Sequence, residues 1–178
     1  MFNDIKSNMF KNKKLNKGFT LIEILIVIGI IAILATIVII AINPARQFAQ
    51  AHNTQRTSNA NTILNAIGQN IADNKGVFNC GTAIPPIATP GTLTATTGSE
   101  IETTGGVDIR TCLVPTYVPE LPADPTTGAG WNGTTYHTSY RVFQDSTSGR
   151  ITVFAPSTEL GGTYTCGPAS SPYICVTR

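Results

Sequence analysis

The chain has 178 residues, of which 42% are apolar and 12% charged, and twelve Lys and Arg against ten Asp and Glu leave a net charge of +2. That is room for one ordinary domain. The apolar share excludes a disordered chain, and the near balance of charge excludes a strongly basic nucleic-acid binder, so no direct nucleic-acid partner is predicted.

The basic charge is concentrated at the start. Residues 1–18 carry five lysines (Lys6, Lys11, Lys13, Lys14 and Lys17) against Asp4 alone, so the remainder of the chain is net acidic. Residues 19–42 follow as FTLIEILIVIGIIAILATIVIIAI, with no proline and a single ionisable side chain, Glu23. As a helix this run reaches about 36 Å, enough to cross a hydrocarbon core of about 30 Å. The lysines ahead of it, with no base after it until Arg46, place the N-terminus on the cytoplasmic side and residues beyond 45 outside. A removable secretory signal shares the basic start. Here the apolar run exceeds the 7–15 residues of such a signal, and IVIIAINPARQF offers no small-x-small cleavage site.

Asn43-Pro44 interrupts the helical pattern, and Pro44 is read as a kink in one long helix. The pattern resumes from Ala45 to about Asp73. Phe48, His52, Ala60, Ile63, Ile67 and Ile71, with Leu64 beside them, form a single apolar stripe, and Gln, Asn, Thr, Ser and Arg fill the other faces. Gly76 is the predicted stop. Residues 82–106 are rich in Thr, Pro, Gly and Ala and contain no base, which predicts a long surface connection. Strands are predicted at Val107–Val114 and Tyr173–Thr177, and a β-hairpin from Thr138–Gln144 and Arg150–Ala155 joined by Asp145-Ser-Thr-Ser-Gly149. Leu121-Pro-Ala-Asp-Pro125 reads as a proline-fixed connection.

The four cysteines, Cys80, Cys112, Cys166 and Cys175, all fall on the side predicted to be oxidising and form no C-x-x-C pair, so two disulfides are expected. Three connectivities are open; proximity in sequence favours Cys80–Cys112 and Cys166–Cys175.

Lys17-Gly18-Phe19-Thr20-Leu21-Ile22-Glu23 resembles the processing site of type IV prepilins and type II secretion pseudopilins: a basic leader, a glycine, a phenylalanine, and an apolar helix with a glutamate in its first turn. The resemblance is close over residues 11–42. It implies cleavage between Gly18 and Phe19 by a prepilin peptidase, N-methylation at Phe19, and retention of the helix as the polymerising element. Partners so implied are identical or related pilin subunits, the peptidase, the assembly platform, and the membrane before assembly. Glu23 lies four residues from the new α-amine, on the same helix face. An acid inside a membrane helix needs a partner. That amine, of the same or a neighbouring subunit, is the one implied. Many members carry a proline earlier in the apolar helix; here the first proline after the junction is Pro44, leaving Gly29 or Asn43-Pro44 as the place for any local loosening.

The predicted fold is therefore α+β and pilin-like: a leader at 1–18, a membrane or filament-core helix at 19–42, its amphipathic continuation at 43–75, and a β-rich head at 76–178 on an antiparallel sheet. The function expected is that of a filament subunit located first in the cytoplasmic membrane and then outside it. A secretion or DNA-uptake pseudopilin is the near alternative, and a membrane-anchored binding module that never polymerises the distant one. No nucleophile, zinc or phosphate motif supports an enzyme, and His52 is read as a polar residue of a helix face and His137 as one of a strand or loop. No cofactor is expected, with calcium on Asp124, Asp145 and Glu159 as the alternative, because some secretion pseudopilins use loop carboxylates in this way. Asn132-Gly-Thr134 matches a glycosylation pattern, and Trp131, Tyr136 and Tyr140 are read as core or sheet-covering aromatics.

Overall fold

A computed structural model describes residues 18–87, 92–166 and 169–178. The chain divides into two compact units, residues 1–43 and 44–178.

In the first unit, α1 (Leu21–Ile42) begins at Thr20 and ends at Asn43, whose backbone is left-handed at φ 47°. None of its residues is buried. The helical run is interrupted at Asn43, next to the predicted Pro44. Asn43 tolerates the left-handed turn better than most residues, and Pro44 opens a new helix where a missing N–H costs nothing.

The second unit starts with α2 (Pro44–Asp73). It stops where the sequence predicted: Lys75 takes φ 59° and Gly76 N–H donates back to the Ile71 carbonyl at 2.8 Å. The strands are β1 (Pro86–Ile87), β2 (Ser99–Glu102), β3 (His137–Asp145), β4 (Ile151–Ala155), β5 (Tyr164–Cys166), β6 (Ala169–Ser171) and β7 (Ile174–Thr177). The main sheet runs β1-β3-β4-β7, with β2 also on β3, and β5 and β6 form a small separate sheet. It is mixed rather than antiparallel, because the two-residue β1 pairs parallel to β3 at Gln144 and Asp145. The β3–β4 hairpin and β7 lie where the alternation placed them.

Two predicted segments differ. Val107–Val114 is not a strand: Val107 makes one bridge to Ile101, and Arg110–Leu113 forms a short helix, α3. Ile109 and Leu113, four apart and both fully buried, follow a helical spacing that the β-branched composition masked. Nor is 82–106 simply surface connection. Ile84, Leu93 and Ile101 are buried in the head, and β2 extends the sheet; residues 88–91 lie outside the described ones.

Strand alternation separates the core into two layers. Tyr140 and Val142 of β3, Ile151, Val153 and Ala155 of β4, and Ile174 of β7 pack with Ala60, Ile63, Leu64 and Ile67 of α2. From the opposite face Phe143 and Phe154 meet Leu93, Cys166 and Tyr173, with the two phenylalanine rings 6.3 Å apart at 69°. All of β4 is consequently buried. Cys166 is bonded to Cys175 and Cys80 to Cys112, with Cα separations of 5.6 and 5.2 Å. The first ties β5 to β7; the second ties the chain after α2 to α3.

One buried position of α2 carries a charge. Arg56 falls midway between His52 and Ala60 and is fully buried, although its type placed it on a polar face. Its Nε donates to Asp124 Oδ2 at 2.7 Å and its Nη2 to Asp124 Oδ1 at 3.1 Å, a bidentate pair with both side chains sealed from solvent. Nη2 also donates to Thr126 Oγ1 at 2.7 Å, and Nη1 to Asn53 Oδ1 at 3.0 Å. Burial pushes the Asp124 carboxyl up, but the guanidinium, the Thr126 hydroxyl and the backbone N–H groups of Thr126 and Thr127 outweigh it and bring it down to about 2. Gly128 lies against this corner, where a Cβ would come 2.4 Å from the Asp124 backbone nitrogen.

A carboxyl lowered from 3.8 to about 2 stabilises the fold above its unfolded value and loses that contribution as pH falls through the folded one. Unfolding of the full chain in detergent is therefore expected to lose about 2 kcal/mol between pH 5 and pH 2. In Asp124→Asn that acid-dependent loss should shrink, and stability at neutral pH should already be lower by about 3 kcal/mol, because Arg56 is left buried without its counter-charge.

Candidate functional site

The residues that the sequence singles out for processing and assembly surround the start of α1. Gly18, Phe19 and Thr20 precede the helix without regular secondary structure and are exposed, Phe19 at 79%. Helix formation is held off by a reciprocal cap. Thr20 has extended backbone at ψ 151°, its Oγ1 accepts from the Glu23 N–H at 3.2 Å, and the Glu23 carboxylate accepts from the Thr20 N–H at 3.4 Å. Two of the N–H groups that a helix leaves unpaired at its start are thereby satisfied. Thr20-Leu-Ile-Glu23 spells the T-x-x-E form of this cap, a signal that reading Glu23 only as a charge in an apolar run passes over.

Beyond the cap, α1 is apolar on every side. Leu21, Ile22, Leu25, Ile28, Ile33 and Ile40 are all exposed, and the whole helix is long and apolar enough to cross a membrane. A buried helix of a soluble protein passes the same test of composition, but here none of the span is buried. At about 1.5 Å per residue its 22 residues extend about 33 Å. Gly29 has open space around a hypothetical Cβ, so no packing within the chain requires a glycine there.

The remaining candidates lie in the head. Asp124 is engaged by Arg56. Asp145 Oδ1 accepts from the backbone N–H groups of Thr147 and Ser148 at 2.8 and 2.7 Å, closing the hairpin turn. Glu159 faces His52 at 3.2 Å and Arg56 at 3.4 Å, and its backbone exchanges hydrogen bonds with the Asn53 amide. Among the described residues no group of three or more His, Cys, Asp or Glu side chains is placed to hold a metal ion. The second histidine, His137, puts Nε2 2.8 Å from Glu100 Oε1 and Nδ1 3.3 Å from Ser139 Oγ. This hydroxyl, imidazole and carboxylate are in line, yet Ser139 is buried, and the cavity of about 250 Å³ beside His137 is lined by Glu102, Thr103, Asn132 and Tyr136 without it.

Tyr136 and Tyr140 are core residues. The Tyr136 hydroxyl donates to Asp108 Oδ1 at 2.9 Å and accepts from the Ile109 N–H at 3.1 Å, while the Tyr140 hydroxyl accepts from Asn59 at 3.1 Å, and burial pushes it up to about 12. Trp131 is part-exposed beneath the Arg110 guanidinium, 4.0 Å from the ring centre, with Arg110 paired to Glu120. Asn132 is exposed and its Oδ1 accepts from the N–H groups of Thr134 and Thr135, both at 2.9 Å.

Removing the cap has a local consequence. Thr20→Val should cost the first turn about 1 kcal/mol. Amide exchange at Glu23, measured on the full chain in micelles, should speed up about fivefold, and Thr20→Ser should restore it.

No curated protein and no solved structure matches the chain. A family model does match, described as the prokaryotic N-terminal methylation motif, over residues 13–39, which takes in the end of the basic leader, the Gly18-Phe19 junction, Glu23 and most of α1. A membrane-anchored precursor of the kind that prepilin peptidases process has this combination of motif and exposed apolar helix. The chain carries the signature of type IV pilins and pseudopilins.

Proposed function

We propose that this chain is a structural subunit of a type IV pilus-like filament. A prepilin peptidase removes residues 1–18 by cutting between Gly18 and Phe19 on the cytoplasmic face, and the subunit then polymerises through residues 19–42 with its head outermost. The single observation that carries this reading is an apolar helix exposed on every side, in a chain whose head is otherwise packed. Lipid covers such a helix before assembly, and copies of itself cover it afterwards. Association of this kind exchanges one apolar environment for another, so packing and polar pairing decide it more than the hydrophobic effect does.

Glu23 supplies the polar pairing. In the unassembled chain its carboxylate is taken up by Thr20, and cleavage creates an amine at Phe19 that is mostly protonated at neutral pH. Pairing with the amine of a neighbouring copy would favour one axial register, since a slipped helix leaves a buried charge unpaired. The exposed Gly18-Phe19 junction lies outside the helix, which favours peptidase access, because a scissile bond within a helix would have to be unwound first.

Two substitutions separate these roles. Gly18→Leu places its first side-chain atom in open space, so the head should fold normally while cleavage falls at least tenfold, read as the mass of the retained leader. Glu23→Gln keeps a side chain able to complete the cap and removes only the charge; it should be cleaved at the normal rate yet give at least tenfold fewer filaments. Normal filament yield from Glu23→Gln would end the pairing role. The reading as a whole is tested by intact-mass and N-terminal analysis of filaments sheared from cells. Recovery in quantity, starting at a methylated Phe19, supports the pilin. A chain starting at Phe19 but confined to the envelope moves the assignment to a pseudopilin.

A further inference from the structure

Two residues of the head run against the preferences of the fold that contains them. Gly68 lies inside α2, where only proline is less favourable than glycine, yet a Cβ built on it meets nothing within 4 Å. No packing within the chain calls for a glycine there. Leu160 presents the opposite case: its backbone is left-handed at φ 59°, a conformation that glycine adopts freely and a leucine resists, and its side chain is left 45% exposed. Local choices that conflict with the fold of a single chain concentrate at functional surfaces.

Gly68 opens onto a groove between the second half of α2 and the turn end of the β3–β4 hairpin. Two cavities of about 280 Å³ and 270 Å³ adjoin there and share Ile71, Gly76, Gln144 and Ile151. Each exceeds the roughly 150 Å³ that a buried leucine vacates when it is cut back to alanine. Arg178 lines the first cavity and no acid lines either; Lys75 and Arg150, next in sequence to the lining residues Gly76 and Gly149, are exposed. The loop that carries Leu160 has the opposite charge, since residues 151–177 contain one acid, Glu159, and no base. Glu159 is held by its backbone to the Asn53 side chain, and the fifteen residues of α2 from Asn53 to Gly68 span about 22 Å. Leu160 therefore cannot reach the groove of its own head.

We infer that Leu160 of one copy seats in the groove beside Gly68 of a second copy, with the acidic loop of the first against the basic rim of the second. The inference rests on the reading of the chain as a filament subunit. Because the two surfaces differ and every head carries both, the contact runs head to tail, leaving a groove free at one end and a Leu160 free at the other. Such a contact propagates as an open helical array when its rotation does not close a ring.

The test uses filaments sheared from cells that express the full chain. With Gly68→Cys and Leu160→Cys in the same chain, mild oxidation should give a ladder of disulfide-linked oligomers on a non-reducing gel, at least tenfold stronger than either single variant gives. Peptide mapping should find the two introduced thiols joined, a bond that their separation forbids within one copy. Gly68→Leu fills the groove from an open helix position, so the head should unfold at an unchanged or higher temperature while filament yield falls at least fivefold. Wild-type filament yield from Gly68→Leu, or filaments of the double variant that give no ladder, overturns the contact and leaves the filament reading standing. Dimers linked through Leu160→Cys alone would assign Leu160 to a symmetric contact and also overturn it. If the wild-type chain forms no filaments, the filament reading fails and this contact fails with it.

Discussion

Arg56 and Asp124 are the point at which the head closes. A long helix and a sheet can slide past one another when only aliphatic side chains meet, because dispersion contacts are plentiful and unspecific. A buried guanidinium with a bidentate carboxylate permits one arrangement. Here the pair also orders its surroundings: Asp124 gathers the Thr126 and Thr127 backbone, Arg56 reaches Asn53 and Glu159, and Asn53 in turn holds the Glu159 backbone. One helical turn of α2 thus fixes both the loop ahead of β3 and the loop after β4. Such a pair adds less to stability than its contacts imply, since both ions leave water, but losing either partner is costly.

The sequence made the helical half of the molecule legible and left much of the head obscure. Twenty-four residues with one charge specify a span, and the stripe from Ala60 to Ile71 specifies the packed part of α2, because these patterns repeat over several turns. The β3–β4 hairpin was readable from its alternation and turn residues. The second core layer was not: β4 reads as a half-exposed strand until Leu93 and Tyr173, contributed by segments before and after it in sequence, cover its other face. Two-residue β1 and four-residue α3 are shorter than the periods that would reveal them.

The candidate processing and assembly residues are legible in a different way. Gly18, Phe19 and Glu23 stand out through their order at the edge of a basic leader, which no argument from helical or strand periodicity would detect. Thr20 was in plain view and unassigned, because its role depends on the backbone turning extended just before Leu21. Arg56 is masked for a simpler reason: its type suits a polar face, whereas its position, four residues from both His52 and Ala60, falls in the stripe. A charged residue at a core position signals a buried partner, and that partner lay in a proline-fixed loop where its contacts cannot be read from spacing.

The complete absence of buried residues in α1 separates two thermodynamic problems that most proteins must solve together. The clusters that form the core of the head are made of the head's own residues, and its stability is set by them. Transfer of the helix between one apolar environment and another is a process of its own, whose free energy is set by the side chains of Leu21–Ile42, the Glu23 carboxylate among them. Mutations therefore sort cleanly. Those in the head alter whether the head folds, and those in α1 alter which surroundings the helix prefers.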